Sequence, residues 1–83
     1  MNKRKFLQSI INGQKNVRYT DFVALLKSFD FVLTRSDGSH NIFKRHGISE
    51  FLNIQNVNGE AKPYQIRQFL QIVEKNNLKL GDD

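Results

Sequence analysis

Cysteine is absent from this 83-residue chain, which excludes a disulfide framework, a thiolate zinc site and a cysteine nucleophile together. Histidine is scarce: the two present could form only part of a metal site and would need carboxylates to complete it. No apolar run approaches the roughly 20 residues that span a bilayer. The basic start, Met1-Asn2-Lys3-Arg4-Lys5, looks like the first segment of a signal peptide. However, Phe6-Leu7-Gln8-Ser9-Ile10-Ile11-Asn12 is too short and too polar to be the apolar core of one. The expectation is a soluble, cytoplasmic protein with no membrane contact. Glycine-rich phosphate loops, dinucleotide fingerprints and nucleophile-elbow patterns are missing as well.

What the chain does have is a hydrophobic content of 39% with nine aromatics, enough for one folded domain of this length and too much for disorder. Acid is lacking where base is concentrated. Residues 1–18 carry Lys3, Arg4, Lys5, Lys15 and Arg18 without a carboxylate, whereas residues 19–83 hold eight basic and eight acidic side chains. The net +5 therefore belongs to the first segment. Such a balance fits nucleic acid, an acidic partner or simply a solubilising end.

Phe6, Leu7, Ile10 and Ile11 form the stripe of a short helix over Arg4 to Asn12, stopped by Asn12-Gly13. Gln14 to Tyr19 reads as a polar connector. Thr20 is a good N-cap with Asp21 in the first turn. Phe22, Leu25, Leu26 and Phe29 then follow at the spacing of a helix that buries one face. From Phe31 the period changes. Phe31-Val32-Leu33-Thr34-Arg35 suits a strand, Ser36-Asp37-Gly38 a tight turn, and Ser39 to Lys44 the returning strand.

After a looser turn at Arg45-His46-Gly47, the segment Phe51 to Asn56 alternates. Leu52 and Ile54 should face the core, leaving Asn53 and Gln55 available on the other face. Asn58-Gly59 is a further turn, and Pro63 opens a helix carrying Ile66, Phe69, Leu70 and Val73. The order predicts a two-layer α+β domain over residues 1–83. It has a basic helical extension (1–18) and an αβββα core (19–80), whose element order is that of a double-stranded-RNA-binding domain. One sheet face is covered by helices and the other is free.

Chemistry concentrates between Arg35 and Arg45. His40 follows a glycine-bearing turn and has cations on both sides. Metal-free RNA cleavage needs a base for the 2′-hydroxyl proton, an acid for the leaving oxygen, and donors that hold the phosphate as charge develops. His40, Ser39, the Gly38 backbone, Lys44 and Arg35 could supply them. The residues alone leave other readings open. A strand histidine is often structural, Gly38-Ser39 is ordinary hairpin chemistry, and Arg35 and Lys44 could be a solvated cross-strand pair. Alternation puts His40 and Ile42 on one face, so either His40 leans on the core or Ile42 sits in the open. His46 reads as an exposed turn residue. A metal site from His40, His46, Asp37 or Glu50 has no recognised spacing. Phe22, Phe29 and Phe69 read as core; Phe51 and Tyr64 could be either core or base-stacking surface.

At Gly38-Ser39-His40-Asn41-Ile42-Phe43 the chain resembles the HicA-type toxins of HicA–HicB toxin–antitoxin pairs. Phe22 to Phe29 matches that family's first helix, and Gln65-Ile66-Arg67-Gln68-Phe69-Leu70 resembles the start of its last. The resemblance implies an αβββα fold and a cofactor-free endoribonuclease that cuts mRNA with a histidine. It also implies a HicB-type antitoxin that covers that histidine. By residue match His40 inherits the catalytic role, with Gly38 and Ser39 presenting it; Arg35, Lys44, Arg45 and Lys62 are candidates for phosphate contacts.

Two departures stand out. Asn41 replaces the second histidine of many members, and Ile54-Gln55-Asn56 stands where many have a proline and a histidine. If a second histidine normally shares the acid–base work, this chain would be slower or would use Lys44 or Arg45 electrostatically. The helix at Arg4 to Asn12 lies outside the minimal unit and could extend the RNA surface, dock the antitoxin or cover apolar surface. A non-catalytic RNA-binding module and a protein-interaction domain are the alternative functions.

Overall fold

The computed structural model describes residues 1–81; the last two residues of the expected 1–83 domain lie outside them. The elements are α1 (Lys3–Asn12), α2 (Tyr19–Ser28), β1 (Val32–Asp37), β2 (His40–Lys44), β3 (Phe51–Val57), β4 (Glu60–Ala61) and α3 (Pro63–Lys75). The strands form an antiparallel sheet in the order β1-β2-β3-β4. This is the two-layer α+β arrangement expected, with one strand more. The fourth strand has only two residues, too few to show a period of two. It is set by the Asn58-Gly59 turn, whose residues both take positive φ (53° and 85°), as a tight hairpin requires.

That short strand also changes the reading of the connector before α2. Val17 is buried, Arg18 bridges to Glu60, and the Ala61 N–H donates to the Val17 carbonyl at 2.9 Å. Part of the supposedly polar connector therefore runs along the sheet edge. The expected cap of α2 is also corrected. The helix starts at Tyr19 with Arg18 as its N-cap residue, and Thr20 lies inside the first turn. A tertiary bond takes the place of a side-chain cap: the Tyr19 N–H donates to the Gly59 carbonyl at 2.8 Å.

The helix ends follow local chemistry. The Asn2 side chain caps α1 by accepting from the Lys5 N–H. At the end of α2, Asp30 adopts φ 67°, its N–H reaches the Lys27 carbonyl, and the Phe31 N–H reaches Leu26. Asn77 repeats that geometry after α3, with bonds to Glu74 and from Leu78 to Val73. Both are Schellman motifs with a non-glycine residue in the left-handed position.

The helices cover one sheet face. Phe22, Leu25, Leu26 and Phe29 of the α2 segment and Ile66 and Phe69 of α3 pack with Phe43, Leu52 and Ile54. Phe69 is the hub: the rings of Phe22, Phe29 and Phe31 meet it edge-on at centroid separations of 5.5, 5.4 and 6.0 Å. Helix α1 adds Ile10 to the same core and rests Phe6 and Leu7 against it. Of the roles open to it, covering apolar surface is the one these contacts fulfil.

A candidate active site on the open face of the sheet

The site is organised by strand register. His40 pairs with Gln55, Ile42 with Asn53 and Lys44 with Phe51 across β2 and β3. Paired residues share a face, and the residues between them, Phe43, Leu52 and Ile54, are buried beneath the helices. The question left by His40 and Ile42 is thereby resolved: both stand on the open face, His40 exposed and Ile42 half-buried.

On β1 the register shifts by one residue between Leu33 and Arg35, so that Arg35 pairs with Ile42 and Asp37 with His40. The extra residue is Thr34, whose hydroxyl donates to the Ile42 carbonyl at 3.2 Å. Unbroken alternation from the Val32–Lys44 pair would have turned Arg35 toward the helices. The bulge re-phases the strand and brings Arg35 and Asp37 to the histidine's side.

The hairpin that presents His40 is one residue tighter than the expected Ser36-Asp37-Gly38 turn. Strand β1 runs to Asp37, and Gly38-Ser39 alone form the loop. Gly38 has φ 63° and occupies the first loop position, where a two-residue hairpin with one left-handed residue needs glycine. Gly38 and Ser39 also line a groove of about 400 Å³ with Tyr19, Val23, Asn41 and Phe43. Beneath the loop, Asn41 points to the helix side. Its amide donates to the Tyr19 hydroxyl at 2.8 Å, and its carbonyl oxygen accepts from the Ser36 hydroxyl. Burial pushes the Tyr19 hydroxyl above its ordinary range, against the opposing effect of the Asn41 bond. Asn41 thus ties the hairpin to α2.

Two carboxamides flank the imidazole. Nδ1 of His40 lies 3.3 Å from Oδ1 of Asn53, and Nε2 lies 3.3 Å from Nε2 of Gln55. Behind Gln55 stands Gln65, buried at 2% exposure in the first turn of α3. Its Oε1 accepts from the Gln55 backbone N–H at 2.9 Å. Its Nε2 reaches Gln55 Oε1 at 3.4 Å and the Tyr64 hydroxyl at 3.3 Å. Sequence reasoning missed Gln65, although there was a signal: it lies on the same helical stripe as Phe69 and Ile72, four and seven residues on, where a polar side chain needs a reason.

The remaining candidates separate. Lys44 is exposed on the histidine's face, about 13 Å along the strand at ~3.3 Å per residue. Lys62 lies at the N-terminus of α3 with its ammonium 5.8 Å from the centre of the Tyr64 ring, at the far end of the carboxamide chain from His40. Arg45 is engaged elsewhere. Its Nε donates to the Phe29 carbonyl at 2.8 Å, Nη1 reaches the His46 carbonyl, and Nη2 is 3.9 Å from Asp30. It caps the end of α2, where cations suit the helix dipole. Phe51 and Tyr64 are 51% and 54% exposed, and neither belongs to the core. His46 is exposed in its turn, as expected.

A protein-family model described as "HicA toxin of bacterial toxin-antitoxin" matches residues 19–74, about two-thirds of the chain. The match begins at the first residue of α2 and ends within α3, so α1 lies outside it. No curated protein and no solved structure matches the chain.

Proposed function

The chain belongs to the HicA toxin family of bacterial toxin–antitoxin systems, and from that premise we propose that it is a ribonuclease toxin whose proton-transfer residue is His40. Its substrate is cytoplasmic mRNA, and a HicB-type antitoxin neutralises it by covering the His40 face. The observation that carries this reading is an exposed imidazole on the sheet face opposite the buried core, held by two carboxamides and accompanied by Arg35 and Lys44.

An open strand face suits a polymer better than a small metabolite, which would be enclosed in a cleft. Phosphates of a single strand laid along β2 meet Arg35 and Lys44. Exposed Phe51, opposite Lys44, offers an unpaired base a stacking surface. At the scissile step His40 takes the 2′-hydroxyl proton, the 2′-oxygen attacks phosphorus, and the bond to the 5′-oxygen breaks. The 5′-oxygen leaves with a proton, which the same imidazole, now charged, can return. Arg35 stabilises the charge that builds on the phosphoryl oxygens. Lys62 takes a peripheral phosphate. Arg45 serves the fold.

The reading is tested with purified protein and a long mRNA in EDTA. Cleavage by the parent and none by His40→Ala supports it. RNA binding without cleavage by either would instead identify a non-catalytic RNA-binding module.

A further inference from the structure

The chain of side-chain amides behind His40 has a fixed polarity, because it begins at a group that cannot be reversed. A backbone N–H is only a donor, so the Gln65 atom 2.9 Å from the Gln55 nitrogen must be the carbonyl oxygen. The other end of the Gln65 amide is then its NH₂. That group meets the Tyr64 hydroxyl and one atom of the Gln55 amide, which must therefore be an acceptor, Oε1. Gln55 is left presenting its own NH₂ to Nε2 of His40. Only a ring nitrogen with a free lone pair can accept there. The ring proton of the neutral histidine is thus placed on Nδ1, where Oδ1 of Asn53 accepts it.

We propose that Gln65 and Gln55 form a one-way relay that fixes His40 as the Nδ1–H tautomer, leaving Nε2 as the proton-accepting atom. This is not the tautomer an exposed imidazole prefers, which carries its proton on Nε2. Gln55 and Gln65 are positioning residues, and their functional meaning rests on His40 being the proton-transfer group. The placement suits a general base, whose accepting nitrogen must face substrate while the other is anchored. Once Nε2 gains a proton, it and the Gln55 NH₂ are both donors. The Gln55 amide must then swing aside, and its NH₂ becomes free to donate to a phosphoryl oxygen. Burial of Gln65 favours one direction of the relay: reversing its amide would set its NH₂ against the Gln55 backbone N–H in a partly buried place.

The test is a long-range ¹H–¹⁵N correlation spectrum of the ¹⁵N-labelled protein in alkaline buffer. His40→Ala and His46→Ala assign the two rings, and exposed His46 serves as the internal control. The expected result is a protonated Nδ1 and bare Nε2 for His40, with the opposite pattern for His46. A His40 ring protonated on Nε2 in the parent overturns the proposal, and needs no variant to do so. In Gln55→Glu, a carboxylate replaces the NH₂ against Nε2, so the proton should move to Nε2. Single-turnover cleavage at saturating protein should then fall by about tenfold or more.

A Gln55→Glu ring that keeps the parent pattern overturns the relay, as does unchanged cleavage in Gln55→Glu where the parent cuts RNA. The spectra are read whether or not the protein cuts RNA. Failure of the ribonuclease reading is therefore visible separately, as intact RNA with the parent beside the expected spectrum.

Discussion

The two faces of the sheet follow opposite rules. On the helix side, Phe43, Leu52 and Ile54 are sealed under α2 and α3, and the rings around Phe69 meet edge to face. On the other side, the same sheet exposes His40, Asn53, Lys44 and Arg35, beside the exposed apolar side chains of Val32 and Phe51. Alternation lets one set of strands hold the fold together with every second residue and leave the rest open to solvent. The lesson is that stability and activity should be separable by mutation, residue by residue along a single strand.

The largest stability effect that would break this comparison comes from the core. Phe69→Ala removes the ring on which three others converge and should cost about 3–5 kcal/mol, read from the denaturant midpoint. At a typical ~0.05–0.15 kcal/mol per residue, that is a large part of the total stability of so short a chain. A loss under about 1 kcal/mol would mean that the core does not depend on this hub.

Arg45 comes next, because it neighbours the open face yet serves the core. Arg45→Ala leaves the Phe29 carbonyl without its charged donor and should cost about 1–3 kcal/mol, with the salt dependence of RNA binding unchanged. The reverse result, intact stability with a weaker salt dependence, would return Arg45 to the phosphate contacts.

On the open face the expectation inverts. Arg35→Ala and Lys44→Ala should each shift stability by no more than about 0.5 kcal/mol. Each should reduce the slope of log affinity against log salt by about 0.7 for single-stranded RNA. Unchanged slopes would remove the RNA from this face.

The smallest effect lies at the rim, where Glu50 meets Lys75 at 2.9 Å. The hydrogen bond from the Lys75 ammonium, assisted by the backbone N–H of Glu50 and by Asn76, holds the Glu50 carboxyl below the ordinary range. A carboxyl depressed by folding adds stability above its unfolded pKa, and the gain disappears as pH falls through the ordinary carboxylate range and past the folded value. Glu50→Gln should therefore lower stability slightly at neutral pH and not at the acid end, which flattens the acid side of the stability–pH curve. A curve that superimposes on the parent's would show the pair to be inert.

How much of this was legible depended on whether the determining interaction was local. The stripes of α2 and α3, Pro63 at a helix start and the two glycine turns are decided within a few residues and could be read directly. The inward pair Leu52 and Ile54 and the outward pair Asn53 and Gln55 followed from the period of two. What escaped was set at a distance. The start of α2 at Tyr19 depends on the Gly59 carbonyl, and β4 depends on Val17. The histidine's face gains Arg35 through a bulge at Thr34 that no propensity announces. The bond of Arg45 to a helix-end carbonyl sixteen residues away is likewise invisible in sequence.

Whether proton transfer depends on His40 or on the fold around it is decided by one comparison. Parent and His40→Ala are incubated with a long mRNA in EDTA, after circular dichroism and thermal melts have shown both to be folded. Matching melts and RNA affinities are expected, with cleavage reduced by at least about 10²-fold in the variant. A folded His40→Ala protein that cuts RNA at the parental rate would contradict a role for His40 in proton transfer.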